Sequence, residues 1–303
     1  MQPAIVPKSQ WLDPMTVALE RARRENPSFA RGPHGELLHS ALLPREVAAA
    51  RPTLDFDRGP IVYTRTRVKP VSSERLRSRF LLSEGIDPAL AQAVRRMRGA
   101  LVDRMRKNGW ATVGVVSPLS GDGRSFTAAN LALAIAAEQG HTALLVDADL
   151  RKPSLHELFG LPIGPGLADY LTDNAQLDDL LVNPGIPRVV VLPAGRPLAQ
   201  SGELLRSPRM NGLIADMRSR YSNRITVFDL PPALSHPDAL ALAPSLDALV
   251  MVARAGRSSR YDVARVRGML GQHNLIGVVL NAASASHQVT TFVSAGNGAQ
   301  PFV

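Results

Sequence analysis

The chain has 303 residues, room for one large α/β domain with an extension or for two small domains. Hydrophobic residues make up 45% of it, the ordinary share for a chain with a packed core, and the absence of cysteine excludes disulfides and thiolate metal sites. A formal net charge of +9, carried almost entirely by arginine, favours anionic partners such as nucleic acid, lipid head groups or an acidic protein face.

Residues 1 to about 60 show no sustained period. They read as a largely disordered basic extension with one short helix near Trp11 to Arg24. That stretch lacks an apolar signal region, and no apolar run approaches the roughly 20 residues needed to cross a bilayer. The expected location is the cytoplasm or the inner face of the cell membrane. Ile61 to Val71 alternates apolar and polar residues and predicts a short strand. Residues 61–110 hold 12 Lys or Arg against 4 Asp or Glu, either a contact surface or a solvated helix face. Asp87-Pro88 predicts a helix start, with the helix running to about Lys107 and Gly109 ending it.

From residue 111 strands alternate with helices. Apolar strands are expected at Ala111 to Val116, Thr142 to Val146, Val189 to Leu192, Ile225 to Phe228, Ala248 to Val252 and Ile276 to Leu280. Helices are expected at Ser125 to Gln139, Ser207 to Arg220, Pro237 to Leu242 and Arg260 to Gln272. Such alternation predicts an α/β fold with a mostly parallel sheet covered by helices on both faces. Ser284 to Val303 reads as a frayed tail. The expected division is an extension over 1–85, the domain over 86–283, and a tail over 284–303.

Ser117-Pro118-Leu119-Ser120-Gly121-Asp122-Gly123-Arg124-Ser125 follows a strand and opens a helix, the setting of a phosphate-binding loop. Gly121 and Gly123 permit a tight turn that brings N–H groups to phosphate oxygens. The following helix N-terminus favours negative charge, and Ser125 can place its hydroxyl on Mg²⁺. The competing reading is a glycine-rich turn capped by serine. The next strand ends in Leu145-Val146-Asp147-Ala148-Asp149, two carboxylates at a carboxyl-end sheet edge, where open α/β sheets bind ligands. A bound Mg²⁺ would offset their burial; the alternative is a pair of helix-capping aspartates before Ser154. Phe228-Asp229-Leu230-Pro231-Pro232 delivers one more aspartate to the same edge, placed to hold Mg²⁺ through water.

From about residue 88 to Ala283 the chain resembles the cytoplasmic ATPase domain of bacterial polysaccharide-biosynthesis tyrosine kinases, the BY-kinases. The loop Ser117 to Ser125 with Ala129-Asn130-Leu131-Ala132, and the V-D-A-D-L-R-K-P run at 146–153, carry the resemblance. So do Gly166-Leu167-Ala168-Asp169-Tyr170-Leu171, Leu192-Pro193-Ala194-Gly195, Glu203-Leu204-Leu205, Asp229-Leu230-Pro231-Pro232 and Gly277-Val278-Val279-Leu280-Asn281. It implies a P-loop ATPase that uses ATP and Mg²⁺ in exopolysaccharide or capsule biosynthesis. It implies an ATP cradle of Ser120, Gly121, Asp122, Gly123, Arg124, Ser125 and Phe126. Arg124 would meet the β- and γ-phosphates, and Ser125, Asp147 and Asp229 would serve the metal. Asp147 would also help activate the attacking hydroxyl, Asp149 is the second acid of its motif, and Asn281 would face the adenine edge. The implied partners are a chain-length-determining polysaccharide co-polymerase in the membrane and further copies of the chain; nucleic acid is not expected.

Departures from the family pattern qualify the expected activity. Pro118 stands for the usual first glycine and Arg124 for the usual lysine. The oligomerisation motif E-x-x-R-x-x-R-x-x-R reads Gln92, Arg95, Arg98 and Leu101. The tyrosines are Tyr63, Tyr170, Tyr221 and Tyr261, so a terminal cluster for phosphorylation in trans is not expected. Two alternatives to a kinase therefore stand: a catalytically weak or inactive docking module whose ATP-bound state meets the membrane partner, and a partition- or septum-type ATPase.

Overall fold

The computed structural model describes residues 66–283 apart from 174, 221, 222 and 272. The helix expected at Trp11 to Arg24, Tyr63 and Tyr221, and the tail 284–303 lie outside the described residues. In chain order the elements are β1 (Arg67–Val68), α1 (Ser73–Ser78), α2 (Pro88–Asn108), β2 (Thr112–Val116), α3 (Arg124–Ala137), β3 (Thr142–Asp147) and α4 (Leu155–Phe159). There follow α5 (Leu167–Asp173), α6 (Leu177–Leu180), β4 (Val182–Asn183), β5 (Val189–Leu192), α7 (Ser201–Leu205) and α8 (Pro208–Arg220). The chain continues with β6 (Arg224–Asp229), α9 (Asp238–Leu242), β7 (Ala248–Arg254), α10 (Arg260–Leu270) and β8 (Leu275–Asn281).

The strands form one sheet in the order β1-β4-β5-β3-β6-β2-β7-β8. Every described pairing is parallel except β4 with β5. Period-two alternation divides the strand side chains between two cores. Val113, Val115, Leu145, Val191, Val227 and Val250 face one core, where α2 and α3 contribute Met97, Leu101, Leu131 and Ile135. Val116, Leu144, Val146, Leu192, Phe228 and Met251 face the other, where α8 and α10 contribute Leu213, Met217, Val266 and Leu270. Burial on both faces is why the strands read as unbroken apolar runs.

Local chemistry sets the helix ends. Asp87 caps α2 by accepting from Ala89 N at 3.2 Å, Pro88 supplies a preset first residue, and Gly109 closes it with φ 64°. The inner stripe of α2, Ala91, Val94, Met97, Leu101 and Met105, recurs every three or four residues. Ser259 and Asp262 form a reciprocal capping box on α10. Leu76 and Leu81, which precede residue 86, are buried in the first core, and Arg67 and Val68 pair with Val182 and Asn183.

One consequence of the strand order positions the site. The chain leaves β2, crosses β6 to form β3, and later returns through β6, so the carboxyl ends of β3, β6 and β2 lie side by side. Their register sets Asp147 opposite Asp229 and Val115 opposite Asp229. This is the switch point at which open α/β sheets bind ligands.

Candidate functional site

The loop from Ser117 to Gly123 leaves β2 at that point. Gly121 and Gly123 both take left-handed backbone, φ 84° and 94°. At Gly123 there is also no room: a Cβ would lie 1.9 Å from Asn281 Nδ2. Asn281, at the end of β8, donates from Nδ2 to Asp122 O at 2.9 Å and so braces the loop. Asp122 is fully buried and its Oδ2 accepts from Leu119 N at 2.8 Å, which closes the turn from inside. Ser120 is exposed at the tip, and Phe126 is half-buried in the first turn of α3.

Arg124, the first residue of α3, is only 8% exposed and points into the acids. Its Nε donates to Asp229 Oδ1 at 2.7 Å and its Nη2 to Asp149 Oδ2 at 2.7 Å. Burial opposes the guanidinium charge, but Asp229 and Asp149 outweigh that cost and hold its pKa above the ordinary value. Burial pushes Asp229 upward, against the pull of Arg124 and the Ser125 hydroxyl.

Asp147 is occupied differently. Its Oδ1 accepts from Asp149 N at 3.2 Å, and its Oδ2 from Ser154 N and Leu155 N, each at 3.0 Å. The carboxylate thus satisfies the first N–H groups of α4, the helix-capping arrangement that the sequence left open. Burial, then the neighbouring Asp229 charge, pushes its carboxyl up to about 7, with the backbone donors resisting. Asp149 uses its second oxygen on Lys152 N at 3.1 Å. Ser125 Oγ accepts from the Ser154 hydroxyl at 2.8 Å.

These contacts bear on a divalent cation. Among the described residues no group of three or more His, Cys, Asp or Glu could hold a metal ion unaided. Mg²⁺ in phosphate sites takes one or two protein oxygens and completes its shell with phosphate and water. Asp229 Oδ2 is buried without a hydrogen-bond partner. With Ser125 it fits that smaller demand. Asp149 is engaged by Arg124, and Asp147 by the backbone.

Three residues beside the loop carried no sequence signal. Arg254, at the end of β7, donates from Nη1 to Gly121 O at 3.1 Å. Arg257 Nε lies 3.9 Å from Asp122 Oδ1. Ser154, the residue before α4, donates its hydroxyl to Ser125 Oγ at 2.8 Å.

Comparison with known proteins agrees with this geometry. Residues 110–293 match the ParA family described as NUBPL iron-transfer P-loop NTPase. The putative tyrosine-protein kinase EpsB of Ralstonia solanacearum is 33% identical over 227 residues, 74% of this chain and 30% of that protein. The tyrosine-protein kinase YwqD of Bacillus subtilis is 33% identical over 189 residues, 62% of this chain and 77% of that protein. The kinase domain of the Escherichia coli tyrosine kinase ETK superposes with a TM-score of 0.60 at 26% identity, covering 77% of this chain and 94% of that one. The chain spans less than a third of EpsB but most of YwqD. On the loop, the strand-end acids and these similarities, the chain belongs to the BY-kinase family of P-loop ATPases, the tyrosine kinases of capsule and exopolysaccharide biosynthesis.

Proposed function

We propose that the chain binds Mg·ATP at 117–125 and turns it over slowly, as the nucleotide-dependent regulator of a chain-length-determining membrane protein in exopolysaccharide or capsule biosynthesis. The observation that carries the reading is the convergence of three strand ends on one glycine-rich loop, with Asp147 and Asp229 in register beside it. Loop N–H groups and the N-terminus of α3 would hold the phosphates. Ser125 Oγ and Asp229 Oδ2 would hold the divalent cation, which when bound neutralises phosphate charge. Asn281, which braces the loop through Asp122 O, would also face the adenine edge.

Slow turnover follows from Arg124. A lysine is a compact point charge that can follow the transferring phosphoryl group, whereas this guanidinium is tethered to two acids at 2.7 Å. A misplacement of about 1 Å can cost roughly 100-fold in rate. This favours a docking role in which the bound state, rather than the chemistry, is the signal. Among the described residues no helix is long and apolar enough to cross a membrane. Tyr261 is exposed at the start of α10, while Tyr170 packs under Arg209 at 4.6 Å, so Tyr261 is the better acceptor of the two.

The test is to incubate the purified chain with Mg·ATP, with and without the membrane protein, and to follow phosphate release and phosphotyrosine. Binding with weak turnover, raised by Arg124→Lys, is expected. Absence of nucleotide binding in a folded chain would end the reading.

A further inference from the structure

The last rung of the β7–β8 ladder reaches across to the phosphate loop. Arg254 and Asn281 are register partners at the carboxyl ends of these strands, and Ala255 N donates to Asn281 O at 2.9 Å to close the rung. Two side chains leave this rung for two consecutive loop carbonyls. Arg254 Nη1 donates to Gly121 O at 3.1 Å, and Asn281 Nδ2 donates to Asp122 O at 2.9 Å. The turn after β7 fixes Arg254 in place. Its N–H donates to Ser258 Oγ at 2.9 Å, and its carbonyl accepts from Arg257 N at 3.1 Å and Ser258 N at 2.9 Å.

A trans peptide is planar, with its N–H antiparallel to its C=O. Among the described residues every peptide bond is trans. Drawing the Gly121 carbonyl to Arg254 therefore turns the Asp122 N–H away from Arg254. Drawing the Asp122 carbonyl to Asn281 turns the Gly123 N–H away from Asn281. Among the described residues neither N–H meets an acceptor. Left-handed backbone at Gly121 and Gly123, on either side of Asp122, suits the nest in which successive N–H groups converge on an anion. Arg257 braces the same residues. It lies flat over Gly121, where a Cβ would sit 3.2, 3.4 and 3.5 Å from its Nη1, Cζ and Nη2. Its Nε is 3.9 Å from Asp122 Oδ1, a buried oxygen with no hydrogen-bond partner.

We propose that Arg254 and Asn281 are positioning residues, which preset the loop's N–H groups for the phosphates of a nucleoside diphosphate or triphosphate whatever its base. The proposal rests on the nucleotide-binding reading above and deepens it. Both side chains act on backbone carbonyls, so what they contribute belongs to the phosphate chain. With either donor removed, its peptide plane is free to turn, and the cost of ordering it falls on the binding step. Asn281 thus has a role through Asp122 O that is separate from any contact with adenine.

The experiment is competition against fluorescent ADP on the full chain in millimolar Mg²⁺, with ATP and inorganic tripolyphosphate as competitors. The wild type should bind both. Arg254→Met and Asn281→Leu each remove a donor at similar volume, and each should weaken ATP and tripolyphosphate alike, by about tenfold. Arg254→Lys keeps a donor on a long side chain and should recover most of the loss, which a merely structural role would not do. A variant that weakens ATP about tenfold but tripolyphosphate less than about threefold assigns that side chain to the base and overturns the proposal. So do unchanged affinities in both variants, and a wild type that binds ATP but ignores tripolyphosphate. Each of these leaves nucleotide binding itself standing. A folded wild type that takes up no fluorescent ADP ends both readings. Should Asn281→Leu fail to fold, the two variants at the exposed Arg254 decide.

Discussion

Arg124 carries two consequences at the scale of single residues. Its side chain joins acids from two different strands, so removing it leaves two buried carboxylates without their cation. Arg124→Ala should cost about 3–5 kcal/mol, as breaking a buried ion pair does, measured by chemical denaturation. A loss under about 1 kcal/mol would show that the acids do not depend on it. Gly123→Ala should distort the loop, since a left-handed backbone and a Cβ 1.9 Å from Asn281 Nδ2 are both unfavourable there. Nucleotide affinity should fall at least tenfold while the far-ultraviolet circular dichroism is kept. Asp147 gives a pH signature. Its carboxyl rises from 3.8 to about 7 in the folded chain, so it binds its proton more tightly folded than unfolded. The stability it contributes is complete below 3.8 and is lost as pH rises through about 7. A carbon-13 NMR titration of the Asp147 carboxyl should give an apparent midpoint near neutrality; a midpoint near 4 would contradict the burial argument.

Elements differ in how plainly they were written in the chain. Long amphipathic or fully apolar segments were legible: α2 with its Asp87 and Gly109 caps, and the strands β2, β3, β5, β6, β7 and β8 as apolar runs. The helices α4 to α7 were not, because four to seven residues span too few turns to show a period. β1 lies within the strand expected at Ile61 to Val71, whereas α1 lacked a signal for the same reason, yet Leu76 and Leu81 are buried in the first core. A chain beginning at residue 86 should therefore unfold at lower denaturant, by about 1.5–3 kcal/mol for each leucine side chain returned to water. An unchanged midpoint would show that residues 66–85 do not stabilise the domain. The site was half legible. Ser125, Asp147 and Asp229 are each marked by a local motif, but the pairing of Arg124 with Asp149 and Asp229 spans 25 and 105 residues and follows from strand order alone. Arg254 and Arg257 were illegible because nothing local distinguishes an arginine at the end of β7 from a solvated one.

At the scale of the whole molecule, two cores hold a sheet whose switch point presents one loop beside the strand-end acids Asp147, Asp149 and Asp229, with Arg124 bridging two of them and Arg254 and Arg257 beside the loop. The net charge of +9 does not by itself name a partner, and the acids at the site concentrate negative charge where the arginines answer it. The central claim is that this edge of the sheet takes a nucleotide. Isothermal titration of the full chain with ATP tests it most directly. A saturable isotherm of one ATP per chain, displaced by ADP and lost in Gly123→Ala, is the predicted result. A folded wild-type chain that produces no heat of binding at millimolar ATP would contradict it.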